Sequence, residues 1–231
     1  MDGMNIARLI SVAVAAVLFA ASASAQMGDG LRDGEIARGL KEALRVGSGR
    51  VVATLGKADG FNKSPDVHIP LPPSLQTAKK MLDAVGAGAA AEDLELRLNR
   101  AAEAAVPKAR KLFGDAIARM TLDDARAILN GPNDSATQYF RGKMSAPLAA
   151  DMRPIVDAEL ARAGAIQSYD RMLGRYKTMP FVPDVKANLA DYVLGKAIDG
   201  VFLYLGREEA AIRENPARRT TDILKRVFGA R

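Results

Sequence analysis

Apolar residues recur along most of the chain at helical spacing, with charged residues filling the positions between them. Ile36, Leu40 and Leu44 mark one face of a first helix, whose other face carries Arg38, Lys41, Glu42 and Arg45. Gly47-Ser48-Gly49 predicts an interruption. Val51, Val52 and Leu55 then carry a short continuation to Gly56, and Asp59-Gly60 reads as a turn. Residues 65–73, PDVHIPLPP, cannot be helical, because Pro70, Pro72 and Pro73 lack amide donors and push their preceding residues to extended geometry. The alternation there predicts an extended strap, with Val67, Ile69 and Leu71 laid on a helical core and His68 turned to solvent.

Ser74 is placed to cap a helix with Leu75, Ala78, Leu82 and Val85 on its apolar face and Gly86 at its end. A longer helix starts near Glu92, with acids in its first turn and Lys108, Arg110 and Lys111 at its far end, as the helix dipole favours. Leu94, Leu98, Ala101, Ala105 and Leu112 form its inner stripe, and Pro107 should kink or split it. Thr121 caps the next helix ahead of Asp123 and Asp124, and Asn130-Gly131-Pro132 closes it. Further helices are expected at about 135–143, 146–163 and 166–177, followed by a second proline-bounded break at 180–183. The segment 189–206 is apolar on more than one face and is expected to be a central, mostly buried helix. Thr220 or Thr221 opens a last helix carrying Ile223, Leu224, Val227 and Phe228.

At the start of the chain, Arg8 precedes the apolar run Leu9 to Ala21, and Ala23-Ser24-Ala25 supplies the small residues that a signal peptidase requires. Residues 1–25 therefore read as a leader cut between Ala25 and Gln26, with translation starting at Met1 or Met4. A spanning helix needs about 20 apolar residues, and this run is shorter, so no transmembrane segment is expected in the mature chain. The protein is expected in a bacterial periplasm or secreted. Residues 26–231 are expected to form a single all-α domain, bundle-like and multi-helical, with one proline-rich extended strap and an ordered core over about 31–229.

Composition narrows the chemistry. The 231 residues contain no cysteine, and His68 is the only histidine. That excludes disulfide scaffolds, thiolate zinc sites, cysteine nucleophiles and any metal site needing two imidazoles. Tryptophan is absent, so no indole platform can hold a sugar or a base. The net charge of +6 survives removal of the leader, because Asp2 and Arg8 leave together. Such a balance favours anionic partners, so an envelope protein or an anionic envelope polymer or lipid is expected rather than nucleic acid. No cofactor is expected.

Several segments are specific. GLKEALRVG (39–47), LGKADGF (55–61), IPLP (69–72), NRAAEAAVPKA (99–109), MTLDDARAIL (120–129), ATQYF (136–140) and IRENPARRTTDILKRVFG (212–229) resemble the bacterial family catalogued as domain of unknown function 4197. The resemblance runs in order over nearly the whole mature chain. It implies an exported helical protein, and it brings no catalytic or ligand residues with it.

The candidate chemistry rests on carboxylates. A lone His68 in a proline strap reads as a surface residue, and Asn130, Asn133, Asp134 and Ser135 only imitate a calcium loop. No glycine-rich phosphate loop of standard spacing is present, and no metal or catalytic residue is assigned. Asn99, Arg100 and Glu103 share one helix face. Asp124 and Arg126 lie on the next helix, which is expected to pack nearby. Together they form a candidate ligand-binding set, although the same residues suit a network of salt bridges and caps better. Glu209–Arg213 and Lys196–Asp199 read as structural pairs. The function expected is a non-catalytic binding or interaction module of the envelope. The alternatives are a carrier for an apolar or lipid ligand, and a hydrolase of envelope polymer with two carboxyls about 5–9 Å apart across a cleft.

Overall fold

A computed structural model describes residues 33–162, 164–173 and 188–215, and every regular element among them is helical. In chain order these are α1 (Asp33–Leu55), α2 (Pro73–Ala84), α3 (Ala89–Ala105), a 3-10 turn (Val106–Lys108), α4 (Ala109–Arg119), α5 (Leu122–Asn130), α6 (Ser135–Arg162), α7 (Ala165–Leu173) and α8 (Leu189–Glu214). The fold is all-α. The leader with its Ala25–Gln26 junction, the break at 180–183 and the last helix from Thr220 or Thr221 lie outside the described residues.

The centre is an antiparallel pair, α6 against α8. Thr137 faces Glu209, Arg141 bonds Asp199 at 3.0 Å, and Arg153 bonds Asp191. On α8, Val193, Ala197, Val201, Phe202 and Leu205 are buried, as its many-sided apolar pattern predicts, and the helix continues past 206 to Glu214. Phe140 of α6, Phe113 of α4 and Phe202 of α8 meet edge to face, with centroids 5.7 and 6.4 Å from Phe113. Such pairs contribute about 0.5–1.5 kcal/mol each beyond their burial. α3 packs on α6, α7 and α8 through Leu94, Leu98, Ala101, Ala102 and Ala105, all fully buried.

The interior of α6 follows an unusual rule. Its buried residues Phe140, Met144, Leu148, Met152, Val156 and Leu160 stand four apart throughout. Each step of four advances about 40° past a full turn, so the buried stripe winds roughly 200° around the helix. This lets one helix serve α8, α3, α4, α5 and α7 in turn. It also explains why the expected break at 144–145 does not occur. Pro147 and Pro154 each remove one amide donor, but both are exposed, and the stripe of contacts runs through them.

Other boundaries also differ from expectation. Gly47-Ser48-Gly49 does not interrupt α1, because Gly47 lies against Ile212 and Glu208 of α8 and packing overrides its weak helix propensity. α2 begins at Pro73, with Pro72 as its cap and Ser74 already inside the first turn. Leu75 and Leu82 anchor α2, while Val85 lies past its end and is exposed. Leu112 belongs to α4 because the turn at Pro107 splits the long helix.

A buried ion pair joins three of these helices. Glu209, on α8, accepts the backbone N–H of Ala136 and of Thr137, each at 2.9 Å, together with the Thr137 hydroxyl. It thereby satisfies the first turn of α6. Arg213 bonds Glu209 at 2.9 Å and donates to the Ile128 and Leu129 carbonyls at the end of α5. The pair expected to be structural joins a helix start to a helix end.

Candidate functional site

The strap has few backbone partners of its own, so its buried polar groups must find side chains. It runs between α3 and α8, with Val67, Ile69 and Leu71 buried as predicted. From α3 a row at four-residue spacing, Glu95, Asn99 and Glu103, meets the strap and the loop before it. Asn99 is fully buried, accepting from Ile69 N–H at 2.9 Å and donating to Ile69 C=O at 2.8 Å, as a neighbouring strand would. Glu103 accepts the N–H groups of Phe61 and Asn62, each at 3.0 Å, and pairs with Arg100 at 2.6 Å. Arg100 also reaches Asp59 at 2.7 Å.

Asp59 stands at φ 65°, and Gly60 follows where a Cβ would strike the Leu55 and Thr54 carbonyl oxygens. Bonds from Lys63 and Asn62, with Arg100 adding to them, hold the Asp59 carboxyl down at about 2. From the other side Tyr192 donates to Pro70 C=O, the hydroxyls of Tyr204 and Ser64 are bonded to each other, and Arg207 grips Asp66. Gly200 leaves the room that Phe61 and Val67 fill.

His68 corrects one expectation. It is not free in solvent: Nδ1 lies 2.8 Å from Asn62 C=O and Nε2 lies 2.8 Å from Glu95. Both contacts are to oxygen acceptors and tie His68 to the loop before the strap and to α3. Glu95 also takes Leu71 N–H and Lys79. Burial pushes its pKa up, but the bonds from His68 and Lys79 outweigh burial and leave it below the ordinary value. Sequence reasoning passed over Glu95, although its spacing to Asn99 and Glu103 was a readable signal.

Asn99, Arg100 and Glu103 thus come together: Asn99 and Glu103 hold the protein's own backbone, and Arg100 pairs with Glu103 and Asp59. Asp124 and Arg126 are placed elsewhere. Asp124 closes a capping box with Thr121, whose backbone and hydroxyl both donate to it, and it also accepts from Tyr139 at 3.3 Å. The Thr121 bonds, backbone first, hold its pKa low, while burial and the Asp124 charge raise that of Tyr139. Arg126 is exposed and lies 3.5 Å from Asp123. Glu103 and Asp124 share no partner.

The Asp124 cap stands at one side of a cleft of about 350 Å³ between α4, α5 and α6. Its walls include Leu112, Ala116, Met144 and Pro147, with Arg119, Lys143 and Tyr139 among the polar residues. Arg119 has no ion-pair partner among the described residues, and Lys143 lies over the Tyr139 ring at 6.0 Å. Neither cation was singled out by the sequence, because each looks like any helix-surface charge until the helices are packed. Among the described residues no group of three or more His, Cys, Asp or Glu is placed to hold a metal ion, and no helix is long and apolar enough to cross a membrane.

No curated protein and no solved structure matches the chain. A family model does, over residues 30–229, under the description "Protein of unknown function (DUF4197)". That span takes in every described residue, the cleft included, and the chain belongs to this family.

Proposed function

We propose that the mature chain is an exported, non-catalytic binding module of the bacterial envelope, with the cleft between α4, α5 and α6 as its ligand seat. One observation carries this reading: the carboxylate that lines the cleft, Asp124, is already committed to capping α5 and to Tyr139. A hydrolase of the two-carboxylate kind needs an acid and a base facing each other across about 5–9 Å. Glu103, the other candidate, is closed in by two backbone amides and Arg100. The leader pattern over residues 1–25 supports export, and the net charge of +6 supports an anionic partner.

Native mass spectrometry of protein purified from its own periplasm, at low salt and without detergent, tests the reading. The expected result is a chain beginning at Gln26 that carries a bound mass. Turnover of an envelope polymer, abolished by Asp124→Asn or Glu103→Gln in a folded protein, would overturn it. So would recovery of the chain from the cytoplasm with residues 1–25 intact.

A further inference from the structure

The lining of the cleft is ordered along its length. Lys111 lies within the electrostatic reach of Asp151, and Arg119 within that of Tyr139, so α4 and α6 run antiparallel along it. Leu112 and Pro147 therefore stand towards one end, and Arg119, Tyr139 and the Asp124 cap towards the other. Ala116, Lys143 and Met144 lie between them. Arg119 at the polar end and Lys143, one turn further along α6 than Tyr139, stand against the single carboxylate of the lining, Asp124. That carboxylate already receives three hydrogen bonds from Thr121 and Tyr139. An anion entering there meets a lining with one more positive than negative side chain, and a chain attached to it lies on apolar wall.

Size limits the chain. About 350 Å³ is near the low end of ligand pockets, which run from about 300 to 1,000 Å³. A small anionic head with a short single chain is commensurate with a cleft of that size.

Building on the binding-module reading, we propose that the cleft takes a single-chain amphiphile bearing one anionic group, a carboxylate or a phosphate monoester. Its head lies between Arg119 and Lys143, and its chain lies along Ala116 and Met144 towards Leu112 and Pro147. The charge directs the ligand, and the apolar end sets its length.

Calorimetric titration of the mature chain with octanoate, octyl phosphate, 1-octanol and inorganic phosphate tests this. The same titrations use the Arg119→Ala/Lys143→Ala double variant, in which both lost side chains are exposed and the Thr121–Asp124 cap is kept. Octanoate, octyl phosphate or both should bind one site at least about tenfold more tightly than 1-octanol and inorganic phosphate. The double variant should erase that margin over 1-octanol. Equal binding of 1-octanol would make the cleft a plain apolar seat, and equal binding of inorganic phosphate would make it a plain anion site; either overturns the proposal. Absence of binding by every probe, or a margin untouched in the double variant, also overturns it. A different bound mass from the periplasm would then leave the binding-module reading standing, whereas polymer turnover would remove that reading itself.

Discussion

Glu103 on α3 and Glu209 on α8 each lie buried, accept two consecutive backbone N–H groups, and pair with an arginine of their own helix. They differ in what they hold and in how much water reaches the arginine. Glu209 and Arg213 join the start of α6 to the end of α5, and the Arg213 side chain is 8% exposed. Glu103 holds a loop, and the Arg100 side chain is 39% exposed and shared with Asp59. Without its acid, Arg213 would lose an ion pair made well away from water, whereas Arg100 would keep Asp59 and already reaches solvent. The same arrangement therefore acts as a joint between rigid helices in one place and as a clasp on a non-helical segment in the other.

The sharpest way to break this comparison is to remove each acid in turn. Glu209→Gln should be the more damaging, at about 3–5 kcal/mol, the usual cost of breaking a buried ion pair. Urea unfolding at an unchanged m-value measures it. Glu103→Gln should cost less, about 1–3 kcal/mol, because the remaining oxygen is a weaker, neutral acceptor for the Phe61 and Asn62 amides and the bond from Arg100 is lost. Hydrogen exchange should then show faster opening at Phe61 and Asn62, with α5 and α6 unaffected. Equal losses at the two sites would show that exposure of the arginine does not matter.

Acid provides the gentlest test. The pKa of Glu95 is lowered, and that of Asp59 is lowered to about 2, from ordinary values of 4.5 and 3.8. In the unfolded chain these groups take up protons first, so their contribution is fully present above the ordinary values and fades as pH falls towards about 2. Protection of the Ile69 and Leu71 amides, relative to their intrinsic exchange rates, should fall over that window. A strap whose protection stays flat from pH 5 to about 2 would show that neither carboxylate holds it.

The helices were legible wherever one stripe met one partner. Thr121 was readable as a cap because capping is local, and Val67, Ile69 and Leu71 because alternation is local. Gly47 misled because its role depends on Ile212 and Glu208, far along the chain. The set Asn99, Arg100 and Glu103 was legible as one helix face, but the partner of Asn99 and Glu103 is backbone, which has the same amide and carbonyl at nearly every residue and leaves no mark in the sequence. Asp124 and Arg126 were grouped with it on the expectation that neighbouring helices bring neighbouring acids together. The capping box takes Asp124 instead.

The winding stripe of α6 also bears on how this family can vary in length. A residue inserted or deleted near Met152 would turn everything beyond it by about 100°, aiming Val156 and Leu160 away from their partners. α6 behaves as a threaded screw whose length between Phe140 and Leu160 is fixed by its thread. Gains and losses of residues among family members should therefore collect in the connections between helices and spare that stretch.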